Sequence, residues 1–245
     1  MLAGFSLLAV VALFLLPRIP QDPGYHLFAD QSDYFSIPNA MNVFSNFLFL
    51  WVGIAGCWKL YQGRLTINDL SGYVYYLFFF SLTLISAGSG YYHWAPSNPT
   101  LSWDRLAMAL AFMSFFSLIL SERVSQALAD TAFPILIFAG LMSVGYWHWS
   151  EANQVGDLRP YILVQFLPLL LIPFILILFP ARFTRSSDLW CFFGCYLLAK
   201  ILEALDHQIY SFLIFISGHS LKHILAGLGC LVYLRHLMLR ERIET

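Results

Sequence analysis

Residues 88–96 read Gly-Ser-Gly-Tyr-Tyr-His-Trp-Ala-Pro and lead through a short turn to Asp104. This stretch ends one long apolar segment and begins the next, so Ser89, His93 and Asp104 crowd one turn at membrane level. Ionisable side chains in lipid cost roughly 2.5 to 3.5 kcal/mol each on insertion scales, and they usually face a protected interior. The stretch therefore predicts a bundle of membrane helices with a functional site inside it.

The composition of the whole chain supports a polytopic membrane protein. Of its 245 residues, 59% are hydrophobic, 18% are aromatic and only 11% are charged, with a mean hydropathy of +0.70. These values exclude a soluble domain of this size. The net charge of -1 and the lack of a basic patch with interleaved aromatic residues exclude nucleic acid as a partner, and nothing implies a protein partner. All four cysteines lie in apolar segments, which predicts no disulfide framework: Cys57, Cys191, Cys195 and Cys230.

We predict an all-α bundle with seven core membrane spans and an extra N-terminal membrane helix. The core spans are 41–61, 70–94, 101–120, 132–147, 161–179, 189–205 and 210–234. Each is about long enough to cross the hydrocarbon layer. The predicted organisation is an N-terminal membrane helix or uncleaved anchor (1–20), an exposed polar non-cytoplasmic loop (21–40), a seven-helix domain (41–236) and a cytoplasmic tail (237–245).

The basic residues predict the orientation of the bundle. One set of span ends carries eight of them and the opposite set carries three: Lys59, Arg64, Arg123, Arg182, Arg185, Arg235, Arg240 and Arg242 against Arg18, Arg105 and Arg159. Cytoplasmic ends are enriched in lysine and arginine. The C-terminus is therefore predicted to be cytoplasmic, with Ser89, His93, Asp104 and His219 near the opposite end of the bundle.

His219 and His223 predict a metal site in the last span. They are one helical turn apart on the same face, which allows two imidazoles to reach one Zn²⁺ ion. His93 can supply a third nitrogen, which leaves an open position for water, as catalytic zinc requires. The helix lacks the glutamate of an HExxH motif, so the nearest candidate for a general base is Asp104.

Ser89 precedes His93 by four residues and projects from the same helical face. Its hydroxyl can stabilise an oxyanion, while a carboxylate takes a proton from water that attacks a carbonyl group. The set therefore predicts hydrolysis. Structural alternatives remain: hydrogen-bonding histidines, an Asp104 that caps a helix or pairs with Arg105, and a Ser89 that permits close helix packing.

The ordered spacing of these residues resembles the alkaline ceramidase family of seven-helix membrane hydrolases. The residues that carry the resemblance are Ser89-x3-His93, Asp104 eleven residues later, and His219-x3-His223 in the last span. The segment Asn42-Val43-Phe44-Ser45-Asn46 also resembles that family's N-x-x-S-N signature. The similarity covers about residues 39–235.

The resemblance implies that one zinc ion is held by His93, His219 and His223. It implies that Asp104 is the general base and later the proton donor to the leaving amine, and that Ser89 assists the oxyanion. The implied reaction is hydrolysis of the N-acyl bond of ceramide, or of a related lipid taken from the bilayer, to a free amine base and a fatty acid.

The chain also departs from the animal members of that family, which carry a calcium site. The loop offers three aspartates, but no carboxylate stands just before the N-x-x-S-N signature: Asp22, Asp30 and Asp33. Calcium binding is therefore in doubt. The chain resembles the bacterial-type branch more closely, which predicts a bacterial inner membrane rather than an ER or Golgi membrane.

Other polar residues are assigned structural roles. Lys200 and Glu203 are predicted to form ion pairs, and Lys222 to point away from the histidines and pair with an acid such as Glu203 or Asp206. For Asp157, Arg159 and Gln165, a capping or gating role and contact with the substrate are equally open, and His148 is predicted not to be a ligand. The alternative function class is a metal-containing seven-helix receptor or sensor similar to the progestin and adiponectin receptor group.

Overall fold

The computed structural model describes residues 2–68 and 72–243 of the chain. Within these ranges the chain is helical and forms no β-strand, although two isolated bridges occur. The predicted start of the second core span at residue 70 and the last two residues of the predicted tail lie outside the described residues. The helices are α1 (Leu2–Leu15), α2 (Ala40–Phe44), α3 (Phe47–Tyr61), α4 (Tyr73–Trp94), α5 (Asn98–Ile119), α6 (Gln126–Ala152), α7 (Arg159–Leu178), α8 (Ser186–Ala204), α9 (Asp206–Leu213) and α10 (Gly218–Leu239).

Five helical stretches in the described part are long and apolar enough to cross a membrane: Ala40–Tyr61, Tyr73–Trp94, Asn98–Val124, Gln126–Ala152 and Arg159–Leu178. The bent pair α9 and α10 makes a sixth if it counts as one span. The structure thus supports five or six of the seven predicted core spans. Helix α8 is less apolar than these because its 19 residues include Asp188, Lys200 and Glu203.

The predicted N-terminal membrane helix is present as α1, but it is short. Its 14 residues reach about 21 Å at about 1.5 Å per residue, which is less than the roughly 30 Å of a hydrocarbon layer. Helix α1 packs against α7, where the rings of Phe5 and Phe174 stack with their centroids 5.6 Å apart. It therefore lies on the outside of the bundle.

Helix α5 runs through the middle of the bundle and contacts α4, α6 and α7. Its start is fixed by a capping box, in which the Ser97 hydroxyl accepts from the Thr100 N–H and the Thr100 hydroxyl accepts from the Ser97 N–H. On the other side, α3 packs against α4, and α10 lies between α3 and α8. This arrangement brings the end of α4, the start of α5 and the start of α10 to the same end of the bundle.

The predicted continuous span 210–234 is wrong. Helix α9 ends at Leu213, the chain turns by 105° through residues 214–217, and α10 begins at Gly218. Ile214 has a positive φ of 67°, and the Ser217 hydroxyl caps α10 by accepting from the Ser220 N–H. A Cβ atom at position 218 would lie 2.2 Å from the Leu202 carbonyl oxygen, so only glycine permits this approach to α8.

The segment 21–40 is only partly the exposed loop that its polarity predicts, since ten of its 20 residues are exposed. Several of its side chains are buried against the helix ends: Gln21, Phe28, Asp30, Asn39 and Ala40. The Gln21 N–H donates to Glu151, and the Asn39 amide donates to the His93 carbonyl oxygen. The segment therefore covers one end of the bundle, and we refer to residues 21–39 as the cover segment.

The residues predicted to form a cytoplasmic tail, 237–245, pack against the bundle as far as they are described. Helix α10 continues to Leu239, and the Arg240 side chain is buried against Glu122. The Thr184 N–H donates to the Glu241 carbonyl oxygen, which ties the chain end to the loop before α8. Local composition does not indicate this packing, because the acidic partner of Arg240 lies far away in the sequence.

We expect Gly218→Ala to lower the free energy of unfolding by about 1 to 3 kcal/mol, because the new methyl group meets backbone that cannot yield cheaply. The matched control is Gly194→Ala in α8, where no described atom lies within 4 Å of the added carbon. Thermal unfolding of the two detergent-purified variants provides the measurement. Equal melting temperatures would contradict the assigned role of Gly218.

Candidate metal centre

His93, His219 and His223 converge at the covered end of the bundle. His93 lies in the last turn of α4, and the other two lie in the first two turns of α10. Their ring centroids are 4.8, 5.0 and 4.9 Å apart, and all three side chains are buried. One ligating atom from each ring lies within 4.8 Å of the others. The three predicted ligands are therefore brought together as a group that can hold one metal ion.

The donor set fits a small cation with nitrogen ligands. The Nε2 atoms of His93 and His219 are 3.3 Å apart. Two nitrogens bound to tetrahedral zinc at about 2.0 to 2.1 Å would be separated by about 3.3 Å. Within the described part of the chain, the buried His93 Nδ1 atom has no hydrogen-bond partner. His93 is therefore not held by hydrogen bonds through both ring nitrogens, as a purely structural buried histidine usually is.

The N-x-x-S-N segment hydrogen-bonds to His223. It lies at the break between α2 and α3, where the Ser45 hydroxyl is 2.8 Å from His223 Nδ1 and donates to the Asn42 carbonyl oxygen. The Asn46 amide nitrogen lies 3.5 Å from the same Nδ1 atom, so this segment occupies the Nδ1 side of the ring and Nε2 is left for a metal ion. Hydrogen bonding of this kind fixes the tautomer and orientation of metal-binding histidines.

Asp206 positions the start of α10 and the cover segment together. Its two carboxylate oxygens accept from the His219 N–H at 2.7 Å and from the Ala29 N–H at 3.0 Å. The neighbouring Phe28 ring consequently packs over the histidines, with its centroid 4.6 Å from the ring of His93 and 5.0 Å from that of His219. Sequence reasoning assigned Asp206 to an ion pair or a rim, and no local motif distinguishes this supporting role.

The prediction that Lys222 points away from the histidines is wrong. Its ammonium group lies 2.9 Å from His219 Nε2 and 2.9 Å from a Glu203 carboxylate oxygen, and the other oxygen of Glu203 accepts from Lys200. The predicted pairings of both lysines with Glu203 are confirmed. Residues three apart on a helix are neighbours, which brings Lys222 back to His219. A metal ion on His219 Nε2 would replace the contact with Lys222, whose ammonium group would then bond only to Glu203.

Ser89 and Asp104 face each other between α4 and α5. Both residues line the same cavity as His223. A Cβ atom at Gly88 would lie 2.7 Å from the Trp103 carbonyl oxygen, so this glycine lets the two helices approach at the level of the pair. Close helix packing, which the sequence left open as a role for Ser89, is therefore provided by Gly88.

The structural alternatives for Asp104 are wrong. Helix α5 is capped by Ser97 and not by Asp104. The Arg105 guanidinium donates to Gln21 and lies over the ring of Trp147, and the described residues contain no ion pair between Arg105 and Asp104. The Asp104 carboxylate therefore remains available to the cavity.

The cavity below the histidines has a volume of about 280 Å³ and a largely apolar wall. Its polar residues gather at the covered end, whereas the deeper wall is formed by side chains such as Phe78, Leu82, Met108, Phe115, Ile172 and Cys230. Between α7 and α8 the Gln165 amide donates to the Tyr196 hydroxyl at 2.9 Å. Gln165 was one of the residues for which a gating role and substrate contact were both left open.

The remaining predicted positions do not join the site. Asp157 pairs with Arg159 at the start of α7, and the exposed His148 ring lies 2.8 Å from the Ser102 hydroxyl. Asp22 caps the short 3₁₀ helix Pro23–His26, and Asp30 accepts from the Ser32 N–H. Across residues 2–68 and 72–243, the only group of histidine, cysteine or acidic side chains close enough to hold a metal is the histidine cluster. The described residues therefore add no support for calcium binding.

The chain was compared with protein-family models and with curated proteins, and neither comparison gave a match. The site is therefore interpreted from its own geometry.

We expect His219→Ala to lower the metal content of the purified protein from about one ion per chain to near zero, because it removes one of three ligands. His148→Ala should keep the full content, since its exposed ring is bonded to Ser102. Elemental analysis after purification without chelators measures both. A wild-type protein without metal, or equal contents in the two variants, would contradict the site.

Ser45→Ala tests the support of His223. Loss of the hydrogen bond to Nδ1 should weaken metal binding by about 10- to 100-fold while the fold is retained. Titration of the metal-stripped protein with Zn²⁺ in competition with a chromophoric chelator measures the affinity. The exposed Ser211, which donates to the carbonyl oxygen of His207, provides the matched control as Ser211→Ala. An unchanged affinity in Ser45→Ala would remove Ser45 from the site.

Proposed function

We propose that this protein is a membrane-embedded, zinc-dependent amidase that hydrolyses the N-acyl bond of ceramide or a related lipid. The observation that carries the proposal is a cluster of three histidines, one of which, His223, lines an apolar cavity together with Asp104 and Ser89. The products are a free amine base and a fatty acid. The sequence resemblance to alkaline ceramidases points to the same chemistry.

The shape and lining of the cavity favour a lipid as the substrate. Apolar walls around a small number of polar groups are typical of sites that bind amphipathic ligands. An acyl chain fits among the phenylalanine and leucine side chains of the deeper wall, which leaves its carbonyl group near His223, Asp104 and Ser89. The cavity is formed within helices that can span a membrane, so a bilayer lipid is the nearest supply.

Entry between α7 and α8 supports the same substrate class. Helix α7 packs on α5 and α6, whereas α8 packs on α10. The wall between them rests on the bond from Gln165 to Tyr196 and on the approach of Lys200 to the Phe166 ring at 6.0 Å. Side-chain rotation at these residues opens a lateral path for an acyl chain without any change in the helix packing.

In the proposed reaction, the three histidines hold zinc, which supplies a Lewis acid and lowers the pKa of water. Asp104 accepts a proton from the water that attacks the amide carbonyl carbon. The same carboxyl group then donates that proton to the leaving amine nitrogen as the C–N bond breaks. The Ser89 hydroxyl orients Asp104 before attack, and it can donate to the negatively charged oxygen that forms from the carbonyl group.

We also propose that the histidine end faces the non-cytoplasmic side of a bacterial inner membrane and that the C-terminus is cytoplasmic. Basic residues gather at the opposite end of the bundle. Arg182 donates to the Ser121 carbonyl oxygen there, and Arg240 donates to the Thr66 carbonyl oxygen. This asymmetry supports the orientation through the preference of basic residues for cytoplasmic ends.

The receptor or sensor class remains the alternative, and one observation favours it. Phe28 covers two of the histidines, and a closed metal site is typical of a structural rather than a catalytic metal. The two classes differ in turnover. Full metal content without hydrolysis of any N-acyl lipid would favour the sensor, whereas release of free fatty acid would exclude a purely structural metal.

We expect Asp104→Asn to retain bound zinc and to lower kcat by about 100- to 10,000-fold, because an amide cannot accept the proton. Release of fatty acid from ceramides of defined chain length, measured by mass spectrometry beside the metal content, tests this. Asp130→Asn, at an exposed position of α6, is the matched control and should behave as wild type. Near-normal turnover by Asp104→Asn would show that the base is wrongly assigned.

A further inference from the structure

Arg105 is a buried cation without a carboxylate partner. Only 6% of the residue is exposed, and none of the ion pairs in the described part of the chain includes it. Its Nη2 atom donates to the Gln21 amide oxygen at 2.7 Å, while its buried Nη1 atom has no hydrogen-bond partner among the described residues. A buried guanidinium normally has its donors satisfied and its charge balanced.

Aromatic rings hold the guanidinium in place. Its Cζ atom lies 4.0 Å from the ring centroid of Trp147, 4.9 Å from that of Tyr161 and 5.8 Å from that of Tyr25. Such rings stabilise a cation and fix its plane, but they do not neutralise its charge. Arg105 is thus held in one orientation, and its Nη1 atom can still donate hydrogen bonds. Its planar fork of N–H donors is suited to carboxylate and phosphate oxygens.

The position of Arg105 determines which ligand can reach it. The residue lines the cavity at the same end as Asp104, and Tyr25 and Tyr161 of its aromatic surround line it as well. Lys200 and Lys222 also line the cavity, but both are paired with Glu203. Arg105 is therefore the cavity cation whose charge remains unpaired within the described residues.

We propose that Arg105 is a specificity residue that binds an anionic phosphate or carboxylate on the polar head of the substrate. The inference rests on the proposed amidase function and deepens it. The acyl chain occupies the apolar part of the cavity, the amide lies near Asp104, and the amine portion extends toward Arg105. The preferred substrate is then an N-acyl lipid with a negatively charged head, and a neutral ceramide is a poorer one.

Pairs of lipids that differ only in the head-group charge test this proposal. One pair is a ceramide and its 1-phosphate, and the other is an N-acyl serinol and the corresponding N-acyl serine. We expect the wild-type protein to prefer the charged member of at least one pair by about 10- to 100-fold in kcat/KM, the value of a hydrogen bond to a charged group. The pair that shows the preference identifies phosphate or carboxylate as the recognised group.

Arg105→Gln should lower kcat/KM for the charged lipid more than for its neutral counterpart, so that the ratio of the two falls to about one. Arg105→Lys keeps the charge without the planar fork and should give an intermediate ratio. Arg235→Gln, at an exposed position near the opposite end of the bundle, is the matched control and should keep the wild-type ratio. Equal losses for charged and neutral lipids in Arg105→Gln would overturn the proposal.

Gln21→Ala separates head-group binding from a structural role. It breaks the bond between the cover segment and Arg105 but leaves the guanidinium in place. If Arg105 merely fastens the cover segment, Gln21→Ala will reproduce the effect of Arg105→Gln, and the proposal fails. If Arg105 binds the head group, Gln21→Ala will retain the preference for the charged lipid.

A binding measurement keeps this inference separate from the amidase proposal. Dodecyl phosphate should raise the melting temperature of the wild-type protein in neutral detergent more than dodecanol does, and Arg105→Gln should abolish the difference. An Arg105-dependent shift without hydrolysis of any lipid would defeat the amidase and leave the anion site standing. Hydrolysis with no preference for charged lipids and no such shift would defeat the anion site alone.

Discussion

The carboxylate of Asp206 is the contact on which the covered end of the bundle depends. A buried carboxylate requires hydrogen-bond donors, and Asp206 obtains them from two parts of the chain that are far apart, at His219 and Ala29. One bond fixes the first turn of α10 and so sets the depth of two histidines. The other holds the cover segment, which places Phe28 over the same rings. The depth of the site and its covering are therefore set by one side chain.

A second buried network holds the opposite end and allows the middle to remain open. Arg240 forms two bonds to the carboxylate of Glu122 at 2.8 and 2.9 Å, and the Tyr75 hydroxyl donates to the same group at 2.6 Å. Loss of one partner from a buried pair of this kind costs about 3 to 5 kcal/mol. The ends of α4, α5 and α10 are thereby tied together, so the cavity between them does not need to be filled for the helices to stay in place.

The sequence was most informative where a short spacing decides a geometry. The helical repeat places His219 and His223 on one face, and a polar residue in an apolar segment indicates a protected site, which is why Ser89, His93 and Asp104 were predicted to belong to one. Contacts between residues that are far apart in the sequence could not be recognised in this way. Nothing near Ser45 in the sequence indicates His223, and nothing near Phe28 indicates that it packs on the histidines.

The errors share a physical cause as well. The polar loop 21–40 was predicted to be exposed, but Gln21 is buried because its backbone N–H has a distant hydrogen-bond partner in Glu151. The break before α10 was missed because residues 214–217 are apolar enough to continue a helix on composition alone. Helix α9 ends at Leu213 before Ile214, whose φ is 67°, and α10 begins where Gly218 approaches the carbonyl oxygen of Leu202, which is a tertiary contact.

The charges around the cavity account for the presence of two carboxylates, Glu203 and Asp104, at its covered end. A divalent ion on three neutral imidazoles would lie beside the ammonium of Lys222, and in a medium of low polarity that repulsion is large. Glu203 offsets the ammonium group, while Asp104 stays free for protons because Arg105 turns toward Gln21 and Trp147 instead of pairing with it. An ion pair between Arg105 and Asp104 would balance the charge in the cavity, but it would also occupy the carboxylate that we propose as the base. The unpaired guanidinium is thus the electrostatic consequence of keeping a free carboxylate beside the histidines.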